Sequence, residues 1–222
     1  MPDLKSKTIG QKNIGVLRFL GTNCDKDVFE AVGRVQKKAE WLWYQDLFDY
    51  KKYDALIIPG GFSYGDYLRC GALAARAPAM KSVREAADHG VPVLGICNGF
   101  QILCESGLLP GVLMRNQSLR FRDGWVNLNR VSQDSSFCSS KIAQVRLPIA
   151  HGEGRYYLKD SELKKIQDNN QIWWTYETNP NGSIQNIAGV LSAKKNVAGL
   201  MPHPERAMDE FMGGTDGVSF FI

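Results

Sequence analysis

The chain has 222 residues, 44% of them apolar, and a net charge of +4. That length and apolar content allow a sizeable core and fit one large α/β domain or two small ones. The mild charge comes without any Lys/Arg cluster interleaved with aromatics, which argues against nucleic-acid binding, and no apolar run approaches the ~20 residues of a membrane-spanning helix.

Met1 to Asn13 is polar and lacks an apolar h-region, so no signal peptide is expected. Ile14 to Leu20 is the first strand candidate, and Gly21 to Asp25 a turn. The helix after it places Val28, Phe29, Val32 and Val35 on one face, with Lys37 and Lys38 at its end. Ala39 to Tyr44 is a second strand and Ala55 to Ile58 a third, stopped by Pro59-Gly60-Gly61. Phe62 to Gly71 reads as a loop. Residues 72–88 read as one or two helices divided at Pro78, which suits the first helical position. Val93 to Ile96 is a fourth strand, followed by a helical pattern from Asn98 that Gly107 ends. Repeated βα units predict a parallel sheet covered by helices on both faces, with sites at the C-terminal strand ends.

Beyond Pro110 the texture changes. Leu119 to Val131 alternates around Asp123-Gly124, a hairpin signal. Ala143 to Ala150 predicts a strand and His151 to Gly154 a loop. Ser161 to Asn169 predicts a short helix. Ile172 to Tyr176, Ile187 to Leu191 and Val197 to Met201 predict strands, with a turn at Asn179 to Gly182. The expected architecture is one α/β domain over residues 1–222, a mostly parallel sheet flanked by helices with an additional antiparallel part.

Five cysteines (Cys24, Cys70, Cys97, Cys104, Cys138) show no framework spacing and read as reduced thiols of a cytoplasmic protein. There is no CxxC or HExxH, so no metal site is expected. Cys97 stands apart: Gly95 and Gly99 flank it at the spacing of a nucleophile elbow, with cysteine in place of serine. It should sit at a strand's C-terminal end and a helix N-terminus, where the helix dipole favours a thiolate. The plain alternative is a small buried hydrophobe.

The second informative stretch is Val197 to Arg206. His203 lies between Pro202 and Pro204, which predicts a stiff, extended segment in which His203 and Glu205 point the same way. That suits a base and its orienting carboxylate. An ordinary surface loop, or Cys, His and Glu as metal ligands, are the alternatives. His89 reads as a solvated helix end and His151 as a loop residue without an evident partner. No P-loop or other nucleotide signature is present.

Gly95-Ile-Cys-Asn-Gly-Phe-Gln101 with Pro202-His-Pro-Glu205 resembles the class I (triad) glutamine amidotransferases. Most members carry Leu and His where this chain has Asn98 and Phe100. The variant found here, with residues 59–71, Arg115 to Phe121 and Ala150 to Gly154, resembles one branch, the glutaminase subunits of phosphoribosylformylglycinamidine synthase. The likeness runs from about Gly15 to the C-terminus. It implies a flavodoxin-like fold, with Cys97 as nucleophile, His203 as acid/base and Glu205 as its orienter, roles the residues themselves also suggest. It further implies a contact of Gln101 with substrate L-glutamine and an oxyanion hole from the backbone N–H groups of Gly61 and Asn98. Arg115 and Asn116 become glutamine or interface contacts. The implied partners are a small bridging subunit and a synthetase subunit. ATP and Mg would serve the synthetase, leaving no cofactor in this chain. Two other readings stay open: another Cys-elbow α/β hydrolase, of peptidase or glyoxalase type, and a non-catalytic regulatory subunit.

Overall fold

The computed structural model describes residues 12–138 and 141–221. Of the polar N-terminal stretch read above, residues 1–11 lie outside these. The first half alternates strand and helix: β1 (Asn13–Arg18), α1 (Asp25–Arg34), β2 (Lys38–Trp43), β3 (Ala55–Ile58), α2 (Ala79–Asp88), β4 (Val93–Ile96) and α3 (Asn98–Glu105). Strands β3 and β4 are buried along their whole length, as continuous apolar runs require when helices cover both faces. Helix α1 turns Val28, Ala31 and Val32 inward, and α2 turns Met80, Val83, Ala86 and Ala87 inward. Each large apolar side chain among them is worth about 1.5–3 kcal/mol when fully buried. Helix α3 is buried all round from Asn98 to Cys104, so it lies inside the core instead of on its surface.

The second half supplies β5 (Val112–Met114), β6 (Arg122–Arg130), β7 (Gln144–His151), β8 (Arg155–Tyr157), α4 (Asp160–Asp168), β9 (Ile172–Tyr176), β10 (Ile187–Leu191) and β11 (Val197–Leu200). It does not form a separate sheet beside the first. Among the described residues, nine strands run in one sheet in the order β2-β1-β3-β4-β11-β10-β9-β6-β7, and β5 pairs with β8 in a small ribbon. The sheet is parallel from β2 to β11 and antiparallel from β11 to β7. The last strand in sequence, β11, therefore lies at the sheet's centre, in register with β4 from Val197↔Val93 to Leu200↔Ile96. Among the described residues, no helix is long and apolar enough to cross a membrane.

Two expectations need correction. Asp123-Gly124 is not a turn: it lies inside β6, opposite Ala150 and Ile149 of β7. A two-residue hairpin needs strand on both sides, and Leu119 to Phe121 forms none; the chain reverses instead between Arg130 and Gln144. Pro78 sits one position before the predicted one, as the residue preceding α2, with helical φ of −53°. The three-residue strands β5 and β8 carried no periodic signal.

The first turn of α3 packs directly on the end of β3. A Cβ on Gly99 would stand 1.9 Å from the Ile58 carbonyl oxygen, so no side chain fits there without moving backbone. By contrast, a Cβ on Gly33, inside α1, would meet nothing within 4 Å. Gly99→Ala should therefore lower the urea midpoint by an amount equivalent to about 3 kcal/mol or more. Gly33→Ala should raise it by about 0.5–1 kcal/mol. Equal midpoints for the two variants would refute the packing constraint.

Candidate active site

Four segments converge at the C-terminal ends of the parallel strands: the turns after β1 and β3, the start of α3 after β4, and the segment after β11. Cys97 joins β4 to α3 with φ 51° and ψ −107°. This backbone region is sparsely populated for any residue with a Cβ and costs on the order of 1–3 kcal/mol. Bonds on both sides hold it there: the Cys97 N–H donates to Leu200 O of β11 at 2.8 Å, and the Gln101 N–H donates to Cys97 O at 3.1 Å. The strain presents the thiol at the mouth of the sheet instead of within the helix.

His203 and Glu205 are 2% and 1% exposed. The His203 backbone N–H donates to Pro148 O of β7 at 2.8 Å. His203 Nδ1 lies 2.6 Å from Glu205 Oε1, while His203 Nε2 and Glu205 Oε2 are buried without a hydrogen-bond partner. The pair meets as expected, but not through an extended segment. Pro204–Arg206 is a 3₁₀ turn, and it is this turn that folds the carboxylate back onto the ring. Burial presses the His203 pKa down, but the Glu205 carboxylate and the nearby Cys97 and Cys24 thiols outweigh it and hold the pKa well above the usual histidine range. Gly60 lies at the centre of the group: a Cβ there would be 2.8 Å from His203 Cε1, 3.1 Å from Cys24 Sγ and 3.3 Å from Cys97 Cβ.

Cys97 opens on a cavity of about 310 Å³ bordered by Gly61, Gln101, Arg115, His151 and Glu153 among others. Arg115 Nε and Glu153 Oε1 are 3.5 Å apart on its wall, so it carries charges of both signs. Cys70 also borders it, but burial and the neighbouring carboxylates of Glu153 and Asp66 push that thiol's pKa up. Burial likewise raises Cys104 and Cys138. Among the described residues, Cys24, His203 and Glu205 bring potential metal-ligand atoms within 4.8 Å of one another. A strained thiol at a helix N-terminus beside a carboxylate-paired imidazole is an arrangement suited to covalent thiol chemistry.

Residues 11–214 match the CobB/CobQ-like glutamine amidotransferase domain. The chain belongs to the glutamine amidotransferase family. A chain of PurLQS from Thermotoga maritima is 41% identical, with 96% of each chain covered and a TM-score of 0.87. A glutamine amidotransferase from Thermotoga maritima (20% identity, TM-score 0.58, 89% of this chain and 78% of that one) shares the fold. So does a putative GMP synthase subunit from Thermoplasma acidophilum (14% identity, TM-score 0.63, 96% and 91%). The flavodoxin-like arrangement expected from the sequence is thus that of this amidotransferase family.

Of the residues singled out in the sequence, Cys97, His203, Glu205 and Gly61 meet at the strand ends. Asn98 begins α3, so its N–H belongs to the first turn, whose donors have no partner within the helix. Its side chain is used elsewhere: Oδ1 accepts from the Ser63 N–H at 3.2 Å and Nδ2 donates to Gln101 Oε1 at 2.8 Å. Gln101 borders the cavity, yet its amide is held between Asn98 and Glu153 O, the latter at 2.7 Å. Arg115 is on the wall. Asn116 is not: it is fully buried, outside the cavity lining, and so departs from the expected contact with substrate. Its Nδ2 donates to Arg120 O and His151 O, and its Oδ1 accepts from the Gly154 N–H and faces His151 Nδ1 at 3.1 Å.

His151 also departs from its reading as a partnerless loop residue. It ends β7, is 3% exposed and borders the cavity next to Cys97. Because Asn116 Oδ1 is an acceptor, the ring carries its proton on Nδ1 and turns Nε2 toward Asn181 Nδ2, 3.5 Å away. Burial and the nearby His203 lower its pKa to about 4. The motif Ala150 to Gly154 flagged this segment, but no local pattern could show that Asn116 clamps it. His89, in contrast, is exposed at the end of α2 as expected.

An unfolded histidine titrates near 6.5. The folded chain therefore binds fewer protons than the unfolded one between that value and about 4. Neutral His151 contributes stability that is fully present above pH 6.5 and lost as pH falls towards 4. The size is about 3 kcal/mol. In urea titrations at successive pH values, His151→Gln should remove that much of the acid-side slope. An unchanged slope would mean that His151 is charged in the fold.

Proposed function

We propose that this chain hydrolyses L-glutamine to glutamate and ammonia through a Cys97 glutamyl thioester and hands the ammonia to a synthetase. The observation that carries this reading is Cys97, displayed on its strained elbow beside the buried His203–Glu205 pair and opening on a cavity with charges of both signs. An α-amino acid needs such a cavity: Arg115 suits its carboxylate and Glu153 its ammonium.

In the proposed reaction the Cys97 thiolate attacks the side-chain carboxamide carbon. The N–H groups of Gly61 and Asn98 receive the developing oxyanion. His203, protonated and held by Glu205, gives its proton to the departing nitrogen, and ammonia leaves a thioester. Neutral His203 then takes a proton from water as it attacks the thioester, and glutamate departs as the thiolate is restored. Gln101 borders the substrate and, through Asn98, is kept in register with the elbow. Cys97→Ala should abolish glutamate release and labelling by a thiol-directed glutamine analogue. Asn98→Ala keeps its backbone donor, so it should lose much less than the ~10²–10³ in kcat that deleting one oxyanion donor costs. Turnover retained in Cys97→Ala would sink the thioester reading.

The likeness to PurLQS supports a narrower assignment: the glutaminase subunit of phosphoribosylformylglycinamidine synthase, in purine biosynthesis. A synthetase subunit would carry the ATP and Mg chemistry, and a small bridging subunit would complete the assembly. The rim of the cavity supports docking. Tyr67, Leu68 and Leu119 are 75%, 85% and 79% exposed, and Phe62 and Phe121 stand beside the mouth. Leu68 and Leu119 also have positive φ, a strained backbone that a docked surface could reshape. Adding nucleotide together with the synthetase and bridging subunits should raise glutamate release at least about ten-fold, or ~1.4 kcal/mol of barrier. Leu68→Asp should blunt that stimulation. A free chain already running at the rate of the complex would rule out such gating.

A further inference from the structure

Cys97 and Gly61 border two cavities. The larger, of about 310 Å³, carries Arg115 and Glu153; a smaller one of about 190 Å³ reaches Cys97 as well. Their other walls divide the chemistry. Arg115 and Glu153 border only the larger of the two, whereas Asn23, Cys24 and His203 border only the smaller. We infer that the smaller cavity is the leaving-group and acceptor subsite: ammonia departs into it, water enters by it, and small neutral amines that fit it take the glutamyl group from Cys97 in place of water. The inference rests on the proposed glutaminase reading and divides that site in two.

In the proposed reaction the tetrahedral carbon has four arms. One is the Cys97 sulfur. A second is the oxyanion, on the N–H groups of Gly61 and Asn98. A third is the glutamyl chain, whose ammonium and carboxylate call for the charges of the larger cavity. The fourth, the departing nitrogen, must lie where a proton can reach it. His203 Nδ1 is 2.6 Å from Glu205 Oε1, so the proton to be given is on Nε2, which is buried and has no hydrogen-bond partner. Of the two cavities, the ring borders the smaller. The missing side chain of Gly60 lets ring and nucleophile approach: His203 Cε1 and Cys97 Cβ lie 2.8 and 3.3 Å from the point where its Cβ would stand.

Hydrolysis of the thioester retraces this geometry, so the incoming nucleophile takes the place that ammonia left. A cavity of about 190 Å³ is several times the ~30 Å³ of one water, which leaves room for a nucleophile of a few non-hydrogen atoms. In the transfer, an amine nitrogen attacks the thioester carbon while neutral His203 takes one of its protons. The C–S bond breaks, Cys97 leaves as thiolate, and the product is a γ-N-substituted glutamine, or the γ-glutamyl hydroxamate when the amine is hydroxylamine.

The test gives the full chain, in complex with its synthetase and bridging subunits where these raise its rate, L-glutamine with hydroxylamine, methylamine or tert-butylamine. Glutamate and γ-glutamyl products are read by mass spectrometry. The two small amines should give product at the expense of glutamate, saturating with amine concentration; tert-butylamine should give none. Cys24→Met, which crowds the smaller cavity, should lower methylamine use relative to water at least about ten-fold. Asn23→Trp, at an exposed position on the same cavity, should do likewise and keeps the test open should Cys24→Met fold poorly. Both should leave the KM for L-glutamine within about two-fold, because the glutamyl chain lies elsewhere. Cys70→Met, on the larger cavity alone of the two, should raise that KM and leave the partition between amine and water unmoved. Glutamate release without any γ-glutamyl product, tert-butylamine used as readily as methylamine, or a partition unmoved by both smaller-cavity variants would overturn the subsite while leaving the glutaminase reading intact. Glutamine left unhydrolysed by chain and complex alike would overturn the glutaminase reading and the subsite with it.

Discussion

The pairing of β4 with β11 is the constraint on which the site depends. These strands are separated by most of the second half of the chain, yet lie in register from Val93↔Val197 to Ile96↔Leu200. Parallel alignment puts both C-terminal ends on the same edge, so the residues just past them, Cys97 and His203, emerge side by side. The bond from the Cys97 N–H to Leu200 O then fixes the elbow to β11. A slip of one residue would turn every side chain of β11 to the opposite face, a change that strands buried on both sides do not permit.

Around this junction the two inner histidines occupy different electrostatic situations. His203, paired with Glu205 and faced by thiols, is held in the charged form despite its burial. His151, bordering the cavity on which Cys97 opens, is bonded to amides instead of a carboxylate and stays neutral. Burial, and after it the nearby charge of His203, keeps His151 neutral, and the site carries an acid on one side of the thiol and a neutral hydrogen-bonding wall on the other.

The antiparallel half of the sheet supplies that wall. Strand β7 delivers Ala150 and His151, and the buried Asn116 ties the following turn to the segment before β6. Four hydrogen-bonding contacts from one side chain replace the regular ladder that this turn lacks, as buried polar groups require. Rigid walls below and exposed apolar loops above divide the molecule into a fixed reaction chamber and an adaptable rim.

Much of this was legible in the sequence, for a local reason. Apolar runs of strand length, Gly95 and Gly99 about Cys97, Gly107 after its helix, and His203 with Glu205 all express sterics or pairing settled within a few residues. Where the sequence misled, distant contacts had overridden local preference: Asp123-Gly124 became strand because β7 pairs across it, and Pro202 and Pro204 led into a turn instead of an extended segment. The contacts that Cys24, Asn116 and His151 make were not legible, because their partners are brought to them only by strand order and register. Cys24 meets His203 and Arg206, 179 and 182 positions away, only because β1 and β11 end on the same edge of one sheet. Sequence alone determined the chemistry each segment could offer; the tertiary structure decided which segments face one another, because that depends on burial summed over the whole sheet and on no single stretch of it.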